Sequence, residues 1–232
     1  MIIPDWGKLP PEMQKDEVSV YYDILRKKKG SLVTKRVFDV VVATLMLLVI
    51  SPILAILAIL IKVDSPGPVF YRQERVTTGN RTFRIFKFRT MVQNADKLGS
   101  LVTVGNDARI TRIGSKIRKC RLDELPQLLN IIKGDMSFVG TRPEVRKYVN
   151  SYTDEMMATL LMPAGVTSLA SITYKDEDEI MEEHTSKGAS PDEAYVKYVL
   201  PAKMKYNLDY LKSFSFWGDI KLMFRTVISV IK

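Results

Sequence analysis

The feature that most constrains this chain is a run of 22 consecutive residues without a charged side chain, Val40–Ile61. A helix of about 20 apolar residues matches the thickness of a bilayer core, so the run predicts a membrane helix. It is apolar on every face, which does not suit a buried helix of a soluble protein. A cleaved signal peptide fits less well, because the run is long, starts late and lacks a small-residue cleavage site.

Two details of this run bear on how it enters the membrane. Ser51-Pro52 lies in its middle, and a proline removes a backbone donor, which predicts a kinked or broken helix. Both flanks are basic, with Lys35 and Arg36 before the run and Lys62 after it. Positive residues favour the cytoplasmic side of a membrane. A helix that bends and returns keeps both flanks on that side, whereas a kinked single span takes one across, and the residues leave both alternatives open.

The charge distribution predicts an anionic partner. The chain has 35 basic and 26 acidic residues and a formal net charge of +9. Residues 62–121 hold 14 basic and 4 acidic side chains, so the excess follows the apolar run directly. A hydrophobic content of 46% is that of an ordinary globular protein, which excludes wholesale disorder and a multi-span membrane protein. The single cysteine, Cys120, cannot form an intramolecular disulfide and is expected to be a small buried residue.

The remaining pattern predicts an α+β fold that is mostly helical. Residues 1–34 are an amphipathic extension with a helix near Val18–Lys29. Residues 69–90 read as a β-hairpin, because two runs rich in β-branched and aromatic residues flank a Thr-Gly-Asn turn. Hydrophobic periodicity predicts helices over 108–119, 122–132, 195–212 and 216–231, and the acidic stretch 175–193 is expected to be a surface loop or short helix.

The chemistry most visible in the sequence is a pair of adjacent carboxylates, Asp123-Glu124. The chain has no phosphate-binding loop, dinucleotide fingerprint or zinc-ligand cluster, and its one histidine, His184, lies in the acidic stretch. The simplest interpretation is that both acids suit the dipole of a helix N-terminus. However, Arg118 and Arg142 lie nearby in sequence, and clustered arginines bind phosphate. A carboxylate held among arginines, near a divalent cation, stays ionised and can attack phosphorus.

Several long stretches resemble the bacterial sugar transferases, which are monotopic phosphoglycosyl transferases, in their short single-domain form. The similarity covers residue 35 to about residue 230. Its most specific part is LDELPQLLNIIKGDMSFVGTRPE. The other matching stretches are KRVFDVVVA with the Ser-Pro of the membrane segment, GPVFYRQERV, FRIFKFRTM, ITRIGSKIRKCR, MPAGVTSLASI and YNLDYLKSFSFWGDIKLM.

The resemblance implies a membrane arrangement and a domain organisation. Residues 1–34 would be the amphipathic extension and 35–62 a re-entrant membrane helix broken at Ser51-Pro52. Residues 63–232 would be the catalytic domain, with amphipathic helices at the cytoplasmic face of the bacterial inner membrane. Lys35, Arg36, Ser51 and Pro52 would be the anchor residues.

The resemblance also implies a reaction. A sugar 1-phosphate would pass from a UDP-sugar to a polyprenol phosphate such as undecaprenyl phosphate, and UMP would leave. This is the first membrane step of surface glycoconjugate synthesis. Asp123 would be the nucleophile that forms a covalent phosphosugar intermediate. Glu124 would act on the acceptor, and both carboxylates would help to hold Mg²⁺.

Six basic residues are candidates for binding the anionic substrates. For several of them the alternative is a membrane-surface or structural role. The chain departs from the usual family pattern at Thr141, where proline is common, and at Asn207, where many members have aspartate. It also has lysine at position 175, where arginine is common, so the sequence does not name the sugar. The six candidates are Lys87, Arg89, Arg112, Arg118, Arg142 and Lys175.

The residues alone leave two other classes of function open. The basic block with Phe83, Phe86 and Phe88 could be an aromatic nucleic-acid-binding surface, although no recognition motif supports it. A membrane-bound scaffold with an inert Asp-Glu pair is the third class. With the enzyme interpretation we expect a UDP-sugar, a polyprenol phosphate and the lipid bilayer as partners, and no nucleic acid. A homodimer is compatible with it.

Overall fold

The computed structural model describes residues 3–95, 107–174 and 176–231. Within them the chain is mostly helical with two small two-stranded sheets, which confirms the predicted α+β class. The helices are α1 (Asp16–Lys27), α2 (Lys29–Asp64), α3 (Arg112–Lys119), α4 (Leu128–Lys133), α5 (Arg146–Val149), α6 (Leu169–Thr173), α7 (Glu177–Ser186), α8 (Pro191–Ala194), α9 (Leu200–Ser213) and α10 (Phe216–Ile231). The strands are β1 (Phe70–Thr77), β2 (Arg81–Phe88), β3 (Met136–Val139) and β4 (Ala164–Thr167).

The apolar run forms the central part of α2, which has 36 residues and contains Pro52. The predicted break at Ser51-Pro52 is corrected, because the helix continues through the proline as one element. In a regular helix the carbonyl of Leu48 would accept from the residue at position 52, which here has no N–H. The Ser51 hydroxyl donates to that carbonyl instead, at 2.8 Å. The helix therefore continues because a neighbouring side chain replaces the missing donor.

The middle of α2 presents a large apolar surface that no other part of the described chain covers. Leu45, Leu48, Val49, Ile53 and Ile56 are each more than half exposed. The helix is long and apolar enough to cross a membrane. An uncovered apolar surface of this extent is typical of a site that contacts lipid or a partner.

The N-terminal part of α2 is attached to the globular part of the protein. Arg36 donates to the carbonyls of Ile131 at 2.6 Å and Ile132 at 3.0 Å, at the end of α4. Lys35 is buried and forms an ion pair with Asp219 of α10. Both predicted anchor cations, Lys35 and Arg36, therefore bind groups of the protein itself, and these contacts fix α2 in place.

The C-terminal end of α2 is attached to the same globular part. Asp64 accepts a hydrogen bond from the backbone N–H of Ile113 in α3, at 2.9 Å. Arg89, just after β2, donates to the carbonyls of Ser65 at 2.6 Å and Pro66 at 2.8 Å. These bonds fix the chain where it leaves α2, so both ends of the helix are held by one body.

The N-terminal helix α1 contributes to the main hydrophobic core. Val18, Tyr21 and Leu25 are buried there, and the Tyr21 hydroxyl donates to Glu155. The helix predicted near Val18–Lys29 is therefore present, and it contacts the rest of the protein.

The predicted hairpin is confirmed. β1 and β2 pair antiparallel across a turn at Thr78–Asn80. Phe83 and Ile85 point into the main core, and Phe88 is buried as well. Because the rings of Phe83 and Phe88 are buried, these two side chains are not available for stacking with nucleic-acid bases.

A parallel pair of short strands, β3 and β4, was not predicted. Strands of four residues are too short to show a recognisable alternation. Gly140 follows β3, and its N–H donates to the carbonyl of Thr167 at 3.0 Å. A side chain there would place a Cβ 2.4 Å from the carbonyl oxygen of Pro163, so only glycine permits this close approach. The pair fixes the start of the loop that carries Arg142.

Candidate active site

The Asp-Glu pair lies in a 3-10 segment, Leu122–Gln127, and not in the first turns of a continuous α-helix over 122–132 as predicted. Pro126 has no N–H and cannot form the α-helical bond to residue 122. Arg121, just before the segment, adopts a left-handed conformation with φ of 53°. The α-helix begins only at Leu128 and ends at Lys133, followed by Gly134 in a left-handed conformation with φ of 90°.

Glu124 is held by two cations that the sequence analysis also selected. Its Oε1 accepts from Lys87 Nζ at 2.8 Å and from Arg142 Nη2 at 2.7 Å, and the side chain is only 11% exposed. Burial opposes the charged form of Glu124, but the charges of Arg142 and Lys87 outweigh this and hold its pKa well below the usual value. The structure thus brings together residues from β2, the 3-10 segment and the loop after β3.

Asn130 fixes the distance between Lys87 and the 3-10 segment. It is fully buried in α4, where its Oδ1 accepts from the N–H of Phe86 at 2.8 Å. Its Nδ2 donates to the carbonyl of Arg84 at 3.0 Å, so it bonds to β2 on both sides of residue 85. The sequence analysis missed this residue, although a single asparagine within the apolar LLNII stretch was a visible signal.

The Arg142 loop is fixed by the backbone although Thr141 stands where the family commonly has proline. The carbonyl of Thr141 accepts from the N–H of Gly165 in β4, at 2.8 Å. The charge of Glu124, with smaller contributions from Glu144 and Glu177, raises the pKa of Arg142. Glu144 is itself buried and accepts from the Tyr195 hydroxyl, and neither residue was selected from the sequence.

Asp123 differs from Glu124 in its surroundings. It is half-buried, and within the part of the chain that the structure describes its carboxylate has no hydrogen bond or ion pair with another side chain. Burial raises the pKa of Asp123, while the charges of Lys87 and Arg118 act in the opposite direction. Of the two arginines that the sequence placed near this pair, Arg118 acts on Asp123 and Arg142 pairs with Glu124.

Two of the other predicted binding residues, Arg89 and Arg112, have no contact with Glu124 in the described structure. Arg89 is buried, and the carbonyls at the end of α2 accept from its guanidinium, which favours the structural alternative. Arg112 is exposed at the start of α3. Asn207 is buried within α9. Lys175 lies outside the described residues.

The donor set at Asp123-Glu124 fits a magnesium ion that also binds substrate phosphate. Within residues 3–95, 107–174 and 176–231 no group of three or more histidine, cysteine, aspartate or glutamate side chains could hold a metal. Mg²⁺ is usually held by one or two carboxylates together with substrate phosphates and water. The Asp123 carboxylate and Glu124 Oε2, which carries neither of the two cation contacts, meet that requirement.

This geometry combines a carboxylate that is available for attack with fixed positive charge. The carboxylate is that of Asp123, on which the charges of Lys87 and Arg118 act, and Arg142 pairs with the adjacent Glu124. Preorganised cations of this kind stabilise the charge that develops during phosphoryl transfer.

Comparison with known proteins supports the family that the sequence motifs indicated. Residues 30–232 match the family model described as bacterial sugar transferase. The chain is 36% identical over 200 residues to UDP-N-acetylgalactosamine-undecaprenyl-phosphate N-acetylgalactosaminephosphotransferase of Aeromonas hydrophila, covering 85% of this chain and 43% of that protein. It is 35% identical over 198 residues to the UDP-glucose:undecaprenyl-phosphate glucose-1-phosphate transferase of Escherichia coli (strain K12), covering 83% of this chain and 39% of that protein. The protein of the same name from Caulobacter vibrioides is 34% identical over 201 residues, with 85% of this chain and 69% of that protein covered.

The chain thus belongs to the bacterial sugar transferase family, as its sequence motifs predicted. It spans less than half the length of the Aeromonas and Escherichia relatives. The match includes α2 from Gly30 onwards and every residue of the candidate site.

Proposed function

We propose that the protein transfers a sugar 1-phosphate from a UDP-sugar to a polyprenol phosphate, with undecaprenyl phosphate as the acceptor, and releases UMP. The observation that carries this proposal is the half-buried carboxylate of Asp123, which has no side-chain partner among the described residues, beside a Glu124 that Lys87 and Arg142 hold ionised. The names of the relatives from Aeromonas and Escherichia support the donor and acceptor classes. The product would be the first lipid-linked intermediate of a surface glycoconjugate.

The proposed reaction has two half-steps. In the first, a carboxylate oxygen of Asp123 forms a bond to the phosphorus that carries the sugar, and the bond from that phosphorus to the UMP oxygen breaks. In the second, a phosphate oxygen of the polyprenol phosphate attacks the same phosphorus, and Asp123 leaves as a carboxylate. The product is a polyprenyl diphosphate sugar, so one phosphoanhydride bond is broken and one is formed.

The neighbouring residues position the anionic reactants. Glu124 keeps Lys87 and Arg142 in fixed orientations, and their remaining donor groups bind phosphate oxygens. Arg118 supplies a further charge next to Asp123. Asp123 and Glu124 Oε2 would hold Mg²⁺, which supplies charge neutralisation at the diphosphate.

UMP release is the direct test of this function. Purified protein in nanodiscs is incubated with undecaprenyl phosphate and, one at a time, a panel of UDP-sugars. We expect UMP release with at least one UDP-sugar, dependent on the acceptor over many turnovers. Asp123→Asn protein is the matched control for contaminating hydrolases. Absence of UMP release across a panel of hexose, N-acetylhexosamine and deoxysugar donors, by folded protein, would contradict the proposal.

Removal of divalent cations is expected to abolish turnover, because two carboxylates and two phosphate groups bring several negative charges together. EDTA should stop UMP release, and Mg²⁺ in excess of the chelator should restore it. The parallel control is the same chelator already saturated with Mg²⁺. Full turnover in excess chelator would show that the cations of the protein suffice.

We also propose that α2 enters and leaves the membrane at its cytoplasmic face. Both of its ends are held by the same globular part, through Arg36 on α4 and Asp64 on α3. A globular body on one side of a bilayer cannot hold both ends of a helix that crosses it. The exposed apolar middle of α2, around Val49, would be the part that enters the lipid.

Accessibility labelling tests this topology. Single cysteines at the exposed positions Lys29 and Lys62, in a Cys120→Ser background, are expected to react with an impermeant maleimide only from the cytoplasmic side. Val49→Cys is the matched control and should be protected on both sides by lipid. Replacing Ser51-Pro52 by Ala-Leu restores the missing backbone donor and should move some molecules to a spanning form. Labelling of either flank from the periplasm in the unaltered helix would contradict a re-entrant anchor.

A further inference from the structure

One face of α3 carries a row of basic side chains that neither the candidate active site nor the core uses. Arg112, Lys116 and Lys119 are spaced four and three residues apart, which places them on the same side of a helix. All three are exposed. Across the part of the chain that the structure describes, none of them has an ion pair or hydrogen bond through its side chain. We name these three residues the basic stripe.

α3 packs against the end of α2, and this packing places the basic stripe next to the apolar surface of α2. Ile117 packs with Leu57 and Ile61 near the end of α2, and Ile113 lies against the same cluster. On the uncovered side of these turns, Val63 is 81% exposed. A row of cations therefore adjoins an apolar surface at the point where α2 ends, and this combination matches acyl chains beside phosphate groups.

The structure separates the basic stripe from the arginine that acts on the candidate nucleophile. At 3.6 residues per turn, Arg118 lies about 120° around the helix from Arg112. It is half-buried and its charge lowers the pKa of Asp123, whereas no such effect is found for Arg112. Arg112 thus lies on a different side of α3 from the arginine that acts on Asp123.

We propose that the basic stripe binds the headgroups of anionic phospholipids at the cytoplasmic membrane surface. Asp123 follows Lys119 by four residues, so headgroup binding also fixes the height of the candidate nucleophile above the bilayer. That consequence rests on the proposed function, whereas the lipid binding itself rests only on α2 and α3.

The chain contains a natural probe for this interaction. Cys120 is the only cysteine, and it is exposed at the end of α3, which corrects the expectation that it is buried. The full chain is labelled there with a fluorophore and reconstituted in nanodiscs of phosphatidylcholine, with or without phosphatidylglycerol. Both kinds of nanodisc contain the same fraction of a lipid with a nitroxide on its headgroup, so that quenching reports how close α3 lies to the headgroups.

We expect stronger quenching when phosphatidylglycerol is present and reversal of this difference at high salt. Each basic residue near an anionic surface strengthens association by roughly fivefold, so removing three weakens it by about a hundredfold. The variant Arg112→Gln/Lys116→Gln/Lys119→Gln should therefore lose most of the phosphatidylglycerol-dependent quenching. Lys15→Gln/Lys187→Gln/Lys205→Gln removes the same charge from other exposed positions and should retain it.

Several results would overturn the inference. Equal quenching with and without phosphatidylglycerol in the unsubstituted chain would be one such result. An equal loss of quenching in the control variant would be another, because it would show that the effect depends only on net charge. Stripe-dependent binding of a fluorescent RNA, with no effect of phosphatidylglycerol, would assign the stripe to nucleic acid. UMP release is measured on the same nanodiscs: lipid-dependent quenching without turnover contradicts only the proposed function, and turnover without lipid-dependent quenching contradicts only this inference.

Discussion

Asp123→Asn is expected to lower turnover by roughly four orders of magnitude or more, as found when an enzyme loses its nucleophile. The substitution keeps the size of the side chain and removes the attacking anion. Since the Asp123 carboxylate has no side-chain hydrogen bond or ion pair in the described structure, the amide breaks no side-chain contact and the fold should persist. Rates of UMP release and thermal unfolding of both proteins are the measurements. A variant that unfolds at the same temperature and retains more than a tenth of the activity would contradict this role.

Mass spectrometry distinguishes the covalent route from direct displacement. After incubation with the UDP-sugar alone, a sugar-phosphate adduct should map to Asp123 and be absent from Asp123→Asn protein. Glu124→Gln weakens the contacts to Lys87 and Arg142 and should strongly lower the rate of turnover. It leaves Asp123 able to form the adduct. An adduct on Glu124 would reverse the two assignments. An active enzyme that forms no adduct and shows ternary-complex kinetics would replace the two-step route.

Lys35→Met is expected to lower the free energy of unfolding by about 3–5 kcal/mol, the usual effect of removing one partner of a buried ion pair. Lys35 and Asp219 have side chains that are each only 5% exposed. Without the ammonium group, the Asp219 carboxylate would keep the Tyr210 hydroxyl as a donor, at 3.0 Å, but would lose its neutralising charge. Denaturant unfolding in a fixed detergent or lipid environment measures the change.

Two further variants control this measurement. Lys35→Met/Asp219→Leu removes both charges and should recover most of the lost stability, because two apolar side chains can pack where the pair was. Lys8→Met breaks the pair with Asp5, whose side chains are 79% and 77% exposed, and should change nothing measurable. A double variant less stable than Lys35→Met, or a Lys35→Met protein as stable as the unsubstituted chain, would show that the pair does not hold α2.

Features that depend on local sequence were predictable. The apolar run predicted α2, and the alternation of Phe83, Ile85 and Lys87 placed all three on one face of β2. Because the first two are buried in the core, the third reaches inwards to Glu124. The family motif also indicated Asp123 and Glu124 as the candidate site.

Features that depend on distant partners were not predictable. Lys35 and Arg36 look like cations at a membrane surface, and nothing near them in sequence shows that Asp219, 184 residues later, pairs with the first. Arg89 was selected for its charge, but its contacts are carbonyls 23 and 24 residues earlier. The leucine spacing after Asp123 indicated a helix, while the single Pro126 was enough to make its first turns 3-10.

The attachment of α2 at both ends has a consequence for membranes of different thickness. A free transmembrane helix adapts to a thicker or thinner bilayer by tilting. A helix fixed at Arg36 and at Asp64 to one body cannot tilt alone. With α2 in lipid as proposed, a change in bilayer thickness would be transmitted to the whole protein, and the carboxylates of Asp123 and Glu124 would move with the helix relative to the plane where lipid phosphates lie.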